Sequence, residues 1–418
     1  MTFKEAARAR LFPVGVPPPS GSADMPFLLV LGLAGFASAF SMRAVDPMLN
    51  LLAADLAVTL QRAALLASAF SLPYAAMQLV FGPIGDAVGR VRLIRVTLSM
   101  LCLGLIGCAL APSHDALLAG RIFSGGWAGG VIPVALATVG DRVTMQQRPQ
   151  ALGRLLMAIV LGQLGGAMAS GMISTLIGWR AVFWCTAAVA GTAALGAMFF
   201  LRETAIPQRP SLRGALARYR VVFSNPLSIR LFLVAAIEGA LIFGVFPFVA
   251  AHMVGRALGD AVEAGFALGM FGVGGVIYTF LVAVLVRRLG LSGMAGLGAT
   301  VAGVCLIAIA LVPSLGLMLA LFGVLGFGFY MIHNTLQIMA TELVPAARGS
   351  AVSLYATFFF SGQALGALLA AQLIGLIGPV ELFAGAGVCL IALAFPASRL
   401  PRRLTPAASE PAPVDPSA

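Results

Sequence analysis

Charge is what this sequence has least of. Only 10% of its 418 residues are charged, against 60% hydrophobic, and its mean hydropathy is +1.01. A soluble globule carries about 25% charged residues, so water cannot be the solvent for most of this chain. Histidine (three) and cysteine (five) are also sparse. Cys102, Cys108, Cys185, Cys305 and Cys389 all fall inside apolar runs without metal-ligand spacing, which offers neither a zinc site nor a disulfide framework. No Gly-rich loop ending in Gly-Lys-Ser/Thr occurs, so nothing points to a nucleotide. Alternating apolar and polar residues over about ten positions, the mark of a membrane barrel, are missing too. No cofactor and no metal are expected.

Long apolar runs are what the chain does have. A helix needs about 20 apolar residues to cross a bilayer core. The runs at 27–47, 62–82, 93–111, 116–139, 152–177, 180–200, 231–251, 264–286, 293–312, 315–339, 351–376 and 379–398 meet that length. The expected fold is therefore an all-α membrane protein of twelve transmembrane helices. The boundaries inside 152–200 and 351–398 are the least distinct.

Residues 1–26 carry Lys4, Arg8 and Arg10 before "PVGVPPPSGS". They lack the apolar core and cleavage site of a signal peptide and read as a cytoplasmic arm. Residues 399–418, rich in Pro and Ala, read as a disordered tail. With the amino terminus inside, most Lys and Arg collect on the cytoplasmic side, including Arg90, Arg92, Arg95, Arg287, Arg288 and Arg348. The far side receives Arg62, Arg180 and Arg256. This is the positive-inside pattern for an even number of spans. It accounts for the net charge of +11 without a nucleic-acid partner. Both termini are expected in the cytoplasm and the chain in the plasma membrane, a bacterial inner membrane.

The connection 201–230 is the longest and most charged, and splits the spans into bundles at 27–200 and 231–398. A sequence echo supports two equivalent halves. "ARGSAVSLYATFFFSGQALGALL" from Ala347 repeats the pattern of "QRPQALGRLLMAIVLGQLGGAMA" from Gln147, aligning Arg148 with Arg348 and Gly162-Gln163 with Gly362-Gln363. Duplicated halves that rock about a central site are the plan of secondary transporters.

Between the second and third runs lies "FGPIGDAVGRVRLIRV", Phe81–Val96. Gly82 and Gly85 suit a tight turn with Asp86 held near Arg90 and Arg92. A bland reading suffices for the charges alone: arginines anchor the loop and Asp86 softens their repulsion. The spacing of Gly82, Asp86, Gly89 and Arg90 nevertheless resembles the signature loop of the major facilitator superfamily, with Arg92 adding charge and Ala87 departing from the usual basic residue. "LLAGRIFSGGWAGG" resembles a second motif of that family through Leu117, Arg121 and Gly125, with Ser124 in place of Gln. "GQLGGAMASG" is similar to its antiporter signature through Gly162, Gly166 and Gly171, although Ala167 and Ser170 replace Pro and Gly. "SMRAVDPMLNLLAADL" looks like the drug/proton-antiporter branch. The resemblance implies two pseudo-symmetric six-helix bundles with helices one, four, seven and ten lining a cavity. It also implies that Asp86 latches the cytoplasmic side against the start of the eleventh span, and that Arg121 serves proton movement. A carboxylate at a helix amino terminus gains about 0.3–1 kcal/mol.

An ionisable residue at the centre of a span costs about 2.5–3.5 kcal/mol on insertion scales, so it needs a role or a partner. Arg43 and Asp46 stand one turn apart on span one and form either a self-neutralising pair near the outer interface or part of a site. Arg121 on span four has the length to snorkel outward. Glu238 has no basic neighbour on span seven and is a candidate proton carrier, followed by Gly239, Gly244 and Pro247, which loosen the helix. Span ten offers His333, Asn334 and Gln337, either for interhelical hydrogen bonds or for the pathway. The expected activity is proton-coupled efflux of a small organic molecule by alternating access, as in multidrug resistance, carried by a monomer. The alternatives are proton-linked uptake of an organic anion, and, in another class, a non-transporting membrane sensor or a polytopic membrane enzyme.

Overall fold

The computed structural model describes residues 25–144, 146–203 and 212–404, and among these there is no strand. The first half contains α1 (Met25–Arg43), α2 (Leu49–Asp55), α3 (Leu60–Val88), α4 (Arg90–Ala109), α5 (His114–Ala128), α6 (Val131–Arg142), α7 (Arg148–Leu176) and α8 (Trp179–Phe200). The second contains α9 (Leu212–Ser224), α10 (Pro226–Phe243), α11 (Val249–Gly255), α12 (Ala261–Leu311), α13 (Leu315–Glu342) and α14 (Arg348–Leu404). Without water in hydrocarbon, each backbone N–H must find its carbonyl within the same segment, which is why the apolar runs are almost wholly helical, with short breaks at 44–45, 129–130 and 244–245. Side chains meet the free N–H groups where helices begin: Thr59 Oγ1 accepts from Arg62 N at 3.2 Å, and Asp260 with Glu263 forms a capping box.

Among the described residues, ten stretches are long and apolar enough to cross a membrane. Two of them, α12 with 51 residues and α14 with 57, contain a glycine with non-helical backbone, Gly290 and Gly378. A straight 51-residue helix would reach about 75 Å, more than twice the hydrocarbon thickness. The left-handed positions recur with a period. Gly89 and Gly178, which separate α3 from α4 and α7 from α8, are followed by Gly290 and Gly378 after 201 and 200 residues. Ala57 (φ 50°) is followed by Ala257 (φ 54°) after 200.

Close helix pairs repeat on the same period. Gly162 on α7 lies against Phe36 of α1, where a Cβ would meet the Phe36 carbonyl oxygen at 2.5 Å. Gly362 on α14 lies in the same way against Ala236 of α10. Other contacts join the two halves: α7 packs on α12, and α3 on α14. Ser68 Oγ donates to Ala364 O at 2.9 Å, and Thr357 Oγ1 donates to Ala75 O at 3.2 Å.

Three expectations need correction. The turn after α3 is a single residue, Gly89 (φ 99°), whereas Gly82, Gly85 and Asp86 are helical. Of Gly82, Gly85 and Gly89, Gly89 alone combines positive φ with a close neighbour, the Glu203 carboxyl, so it is the position in this stretch that a side chain could not occupy. The connection 201–230 is not a bare loop: α9 occupies 212–224 and α10 already starts at Pro226. The last helix runs to Leu404 rather than ending at 398. Residues 1–24 and 405–418 of the two expected tails lie outside the described residues.

Candidate functional site

A cavity of about 940 Å³ lies between the halves. Its first-half wall is mainly aliphatic (Met42, Ile132, Leu136, Leu156, Ile159, Val160), and its second-half wall is aromatic (Phe243, Phe329, Tyr330, Tyr355, Phe359, Phe360). It extends to the face that carries Asp86, Arg90, Arg218, Glu342 and Arg348, all of which line it. At the opposite face the halves close backbone to backbone. A Cβ on Gly171 would fall inside the radius of the Ala261 carbonyl oxygen, and one on Gly265 would lie 2.8 Å from Ala167 O.

Arg43 lines the cavity between the two halves. Its Nη1 meets Asp46 Oδ2 at 3.4 Å, its Nη2 donates to Gln363 Oε1 at 2.9 Å, and its guanidinium lies 4.1 Å from the Phe243 ring centre. Both charges are buried, at 6% and 2% exposure. The pair is therefore not at an outer interface but binds helix α1 to α14 across the halves. Gln78, 4% exposed, and the half-buried Gln163 also line the cavity, and neither has a hydrogen-bond partner among the described residues. A buried amide facing a cavity without a partner is a binding group for whatever fills it.

Glu238 is fully buried on α10. Its Oε2 lies 3.4 Å from His333 Nδ1 on α13, and its Oε1 has no partner. The expectation of an isolated acid thus holds only within its own helix. His333 lines the cavity, stacks on Phe329 at 4.8 Å, and sits 4.4 Å from the Phe359 ring centre. Tyr355 Oη lies 3.0 Å from the same Nδ1 and 3.2 Å from the His333 carbonyl. Tyr355 escaped the sequence reading because a tyrosine in an apolar run carries no distinguishing pattern. Gln337 lines the same cavity, whereas Asn334 donates to Tyr278 Oη at 2.8 Å and serves helix packing.

Arg121 does not snorkel. It is completely buried, donating from Nε to Leu66 O at 3.2 Å and from Nη1 to Ser41 O at 3.0 Å, with Phe70 4.2 Å from its guanidinium carbon. It lies between α1, α3 and α5, outside the cavity lining. Gly125, one turn on, touches the Phe70 backbone. The span-five glycines Gly162, Gly166 and Gly171 are all packing positions: the first two meet α1 and the third meets α12.

At the cavity mouth Asp86 pairs with Arg90 at 2.9 Å, and Arg90 also reaches Asp141 Oδ2 at 2.6 Å and Ala137 O at 2.8 Å. Arg92 uses its backbone N–H to donate to Glu203 Oε2 at 3.1 Å, so an acid sits at the amino terminus of α4. Tyr219 of α9 donates to Leu79 O at 3.0 Å, and burial pushes its phenol above the ordinary range.

A helical membrane protein whose two halves enclose a cavity, open at one face and closed at the other, has the architecture of a solute carrier. Sequence and structure comparisons make this specific. The profile of the Major Facilitator Superfamily matches residues 31–367 and 231–416. An efflux pump of Floropilus chiversii is 33% identical over 137 residues, covering 33% of this chain and 26% of that protein. An MFS-type transporter of Cochliobolus lunatus is 25% identical over 283 residues, 59% of this chain and 54% of that protein. Citrate exporter 1 of Yarrowia lipolytica is 29% identical over 163 residues, 39% of this chain and 24% of that protein. The matched part therefore spans between 24% and 54% of these relatives. A crystal structure of the peptide transporter POT in complex with sulfate superimposes with a TM-score of 0.78 at 17% identity, covering 93% of this chain and 97% of that one. A bacterial homologue of the human lysosomal transporter Spinster, inward-facing and unoccupied, gives 0.74 at 18% identity, covering 93% and 100%. These likenesses establish the fold. The chain belongs to the major facilitator superfamily, a family of transporters rather than enzymes.

Proposed function

We propose that this chain is a secondary active transporter that exports a small organic solute in exchange for protons by alternating access. The observation that carries the proposal is the cavity of about 940 Å³ with Glu238 buried directly behind its lining residue His333. That volume lies in the usual range for a drug-sized ligand. One wall is aliphatic and the other aromatic, with unpaired amides between, which suits an amphipathic ring-bearing cargo. Efflux pumps and an exporter among the relatives favour the outward direction.

In this reading α12 and α14 each turn back at their glycine, giving twelve crossings in two bundles, 27–200 and 231–398, joined by 201–230, with both termini in the cytoplasm. The period shared by Gly89 with Gly290 and by Gly178 with Gly378 supports it. The arginine-rich mouth is then cytoplasmic and the described conformation is inward-open. Asp86 binds its neighbour Arg90 here; on closure it would instead face the start of α14 near Gly349, which lines the same mouth.

Arg43 favours a second reading, proton-linked movement of an organic anion, since it is a cation on the cavity wall. Proteoliposomes with an imposed pH gradient separate the two, using ethidium and benzoate as cationic and anionic probes. Ethidium accumulating against the proton flow supports export by antiport. Benzoate moving with protons supports the second reading. Neither probe responding to the gradient, with Glu238→Gln indistinguishable from wild type, overturns the coupling.

A further inference from the structure

Glu238 presents a problem of access. Its side chain has no exposure, and the cavity lining does not include it. Among the described residues the polar group within reach of its carboxylate is His333 Nδ1. A proton that enters from the cavity therefore needs a carrier through the wall. His333 is placed for that task, because its side chain keeps 17% exposure while its Nδ1 points inward.

We infer that His333 is the proton port between cavity and Glu238, and that the Tyr355 hydroxyl sets which way the port is loaded. The inference rests on the proposed proton coupling and adds a route to it. The hydroxyl of Tyr355 carries one hydrogen but stands within hydrogen-bond distance of two acceptors, Nδ1 at 3.0 Å and the His333 carbonyl oxygen at 3.2 Å. It can donate to only one of them: to Nδ1 when that nitrogen is bare, or to the carbonyl when Nδ1 carries the hydrogen, in which case the hydroxyl oxygen can accept from Nδ1–H.

When Nδ1 carries the hydrogen, the Tyr355 hydroxyl turns to the carbonyl and Nδ1–H faces Glu238 Oε2. When Nδ1 is bare, the hydroxyl turns to it. Loading starts from the Nδ1–H tautomer: a hydronium ion in the cavity gives up an O–H proton to form Nε2–H and becomes water, while the Nδ1–H bond breaks and its proton forms an O–H bond on Glu238 Oε2, leaving Nδ1 bare. One proton has moved inward, the carboxylate has become neutral, and the imidazole is neutral before and after with its tautomer exchanged. Release runs through the same atoms in reverse. Phe329 stacks on the ring and Phe359 packs against it at a tilt, which restricts its rotation. The titratable groups facing Glu238 are His333 from α13 and Tyr355 from α14. Arg43 of α1 is the charged group that touches α10 from the other half, through Phe243.

The test needs no cargo. A pH jump on the purified protein, followed by time-resolved infrared difference spectroscopy, reports the protonated-carboxyl band, assigned to Glu238 by its loss in Glu238→Gln. His333→Gln is expected to slow the rise of that band by about a hundredfold or more, the scale of a positioned proton donor. His333→Ala is expected to be equally slow and to recover when imidazole is added, which a purely structural role would not produce. Tyr355→Phe is expected to keep the band and to change its rate less than His333→Gln does. An unchanged rate in His333→Gln, or His333→Ala that imidazole leaves slow, overturns the port. A wild-type protein without any Glu238 band between pH 5 and pH 9 overturns the carrier itself, and so the coupling on which the port rests.

Discussion

At the face opposite the cavity mouth, α7 and α12 touch where Gly171 meets Ala261. A Cβ added to Gly171 would come closer to the Ala261 carbonyl oxygen than the 3.0 Å that real Cβ atoms respect, and would also lie 3.2 Å from the Ala261 carbonyl carbon and 3.3 Å from Gly265 Cα. All three are backbone atoms, so no side chain can rotate away. Gly171→Ala must therefore part the helices by on the order of 0.5–1 Å, a gap that forfeits a quarter to a half of the local dispersion energy. Overpacking of this kind costs about 1–3 kcal/mol, charged against the closed face alone. A bias of that size shifts a two-state equilibrium by about 5- to 150-fold. Hydrogen exchange read by mass spectrometry is the assay. Segments 49–62 and 249–265 are expected to exchange faster in Gly171→Ala, and segment 345–356 at the cavity mouth slower. Two alanine controls should change little: Gly82, with nothing within 4 Å, and Gly375, whose Cβ would meet the flexible amide end of Gln61 at 2.9 Å. If Gly171→Ala matches wild type on both faces, this contact does not hold the far side shut.

Arg43→Gln leaves Asp46 buried without its cation and should lower stability by about 3–5 kcal/mol; adding Asp46→Asn should recover most of the loss in thermal unfolding, and equal melting of single and double variants would contradict the pairing. Gly89→Val combines a left-handed backbone with a clash against Glu203. It should cost at least about 1–2 kcal/mol, and Glu203→Ala in the same background should relieve only part of the loss. Tyr219→Phe removes the bond from α9 to Leu79 O, and is expected to cost about 1 kcal/mol and to raise proteolysis of residues 212–224.

The membrane class, the helical character and the family were legible in the residue order, because burial in hydrocarbon writes itself as long apolar runs and because Gly82, Asp86, Gly89 and Arg90 stand at the spacing of the family's motif. Gly162-Gln163 and Gly362-Gln363 announced the duplication as well, and both glycines proved to sit at close helix contacts. Local geometry was less legible. Gly82 and Gly85 looked like the turn, yet Gly89 makes it, since only positive φ distinguishes a turn glycine from a helical one and composition does not record φ. Arg121 had the length to reach water, but α1 and α3 offer it carbonyl oxygens on the way and it stays inside.

The sequence by itself determined what must be buried and in which kind of solvent, because the free energy of placing each side chain in lipid depends on that side chain alone. Which buried groups meet was decided only by the tertiary structure. Arg43 and Gln363 are 320 residues apart and Glu238 and His333 are 95 apart, yet each pair lies within 3.4 Å. Packing of one helix against another brings them together, and no spacing along a single helix encodes which of its faces will find a partner.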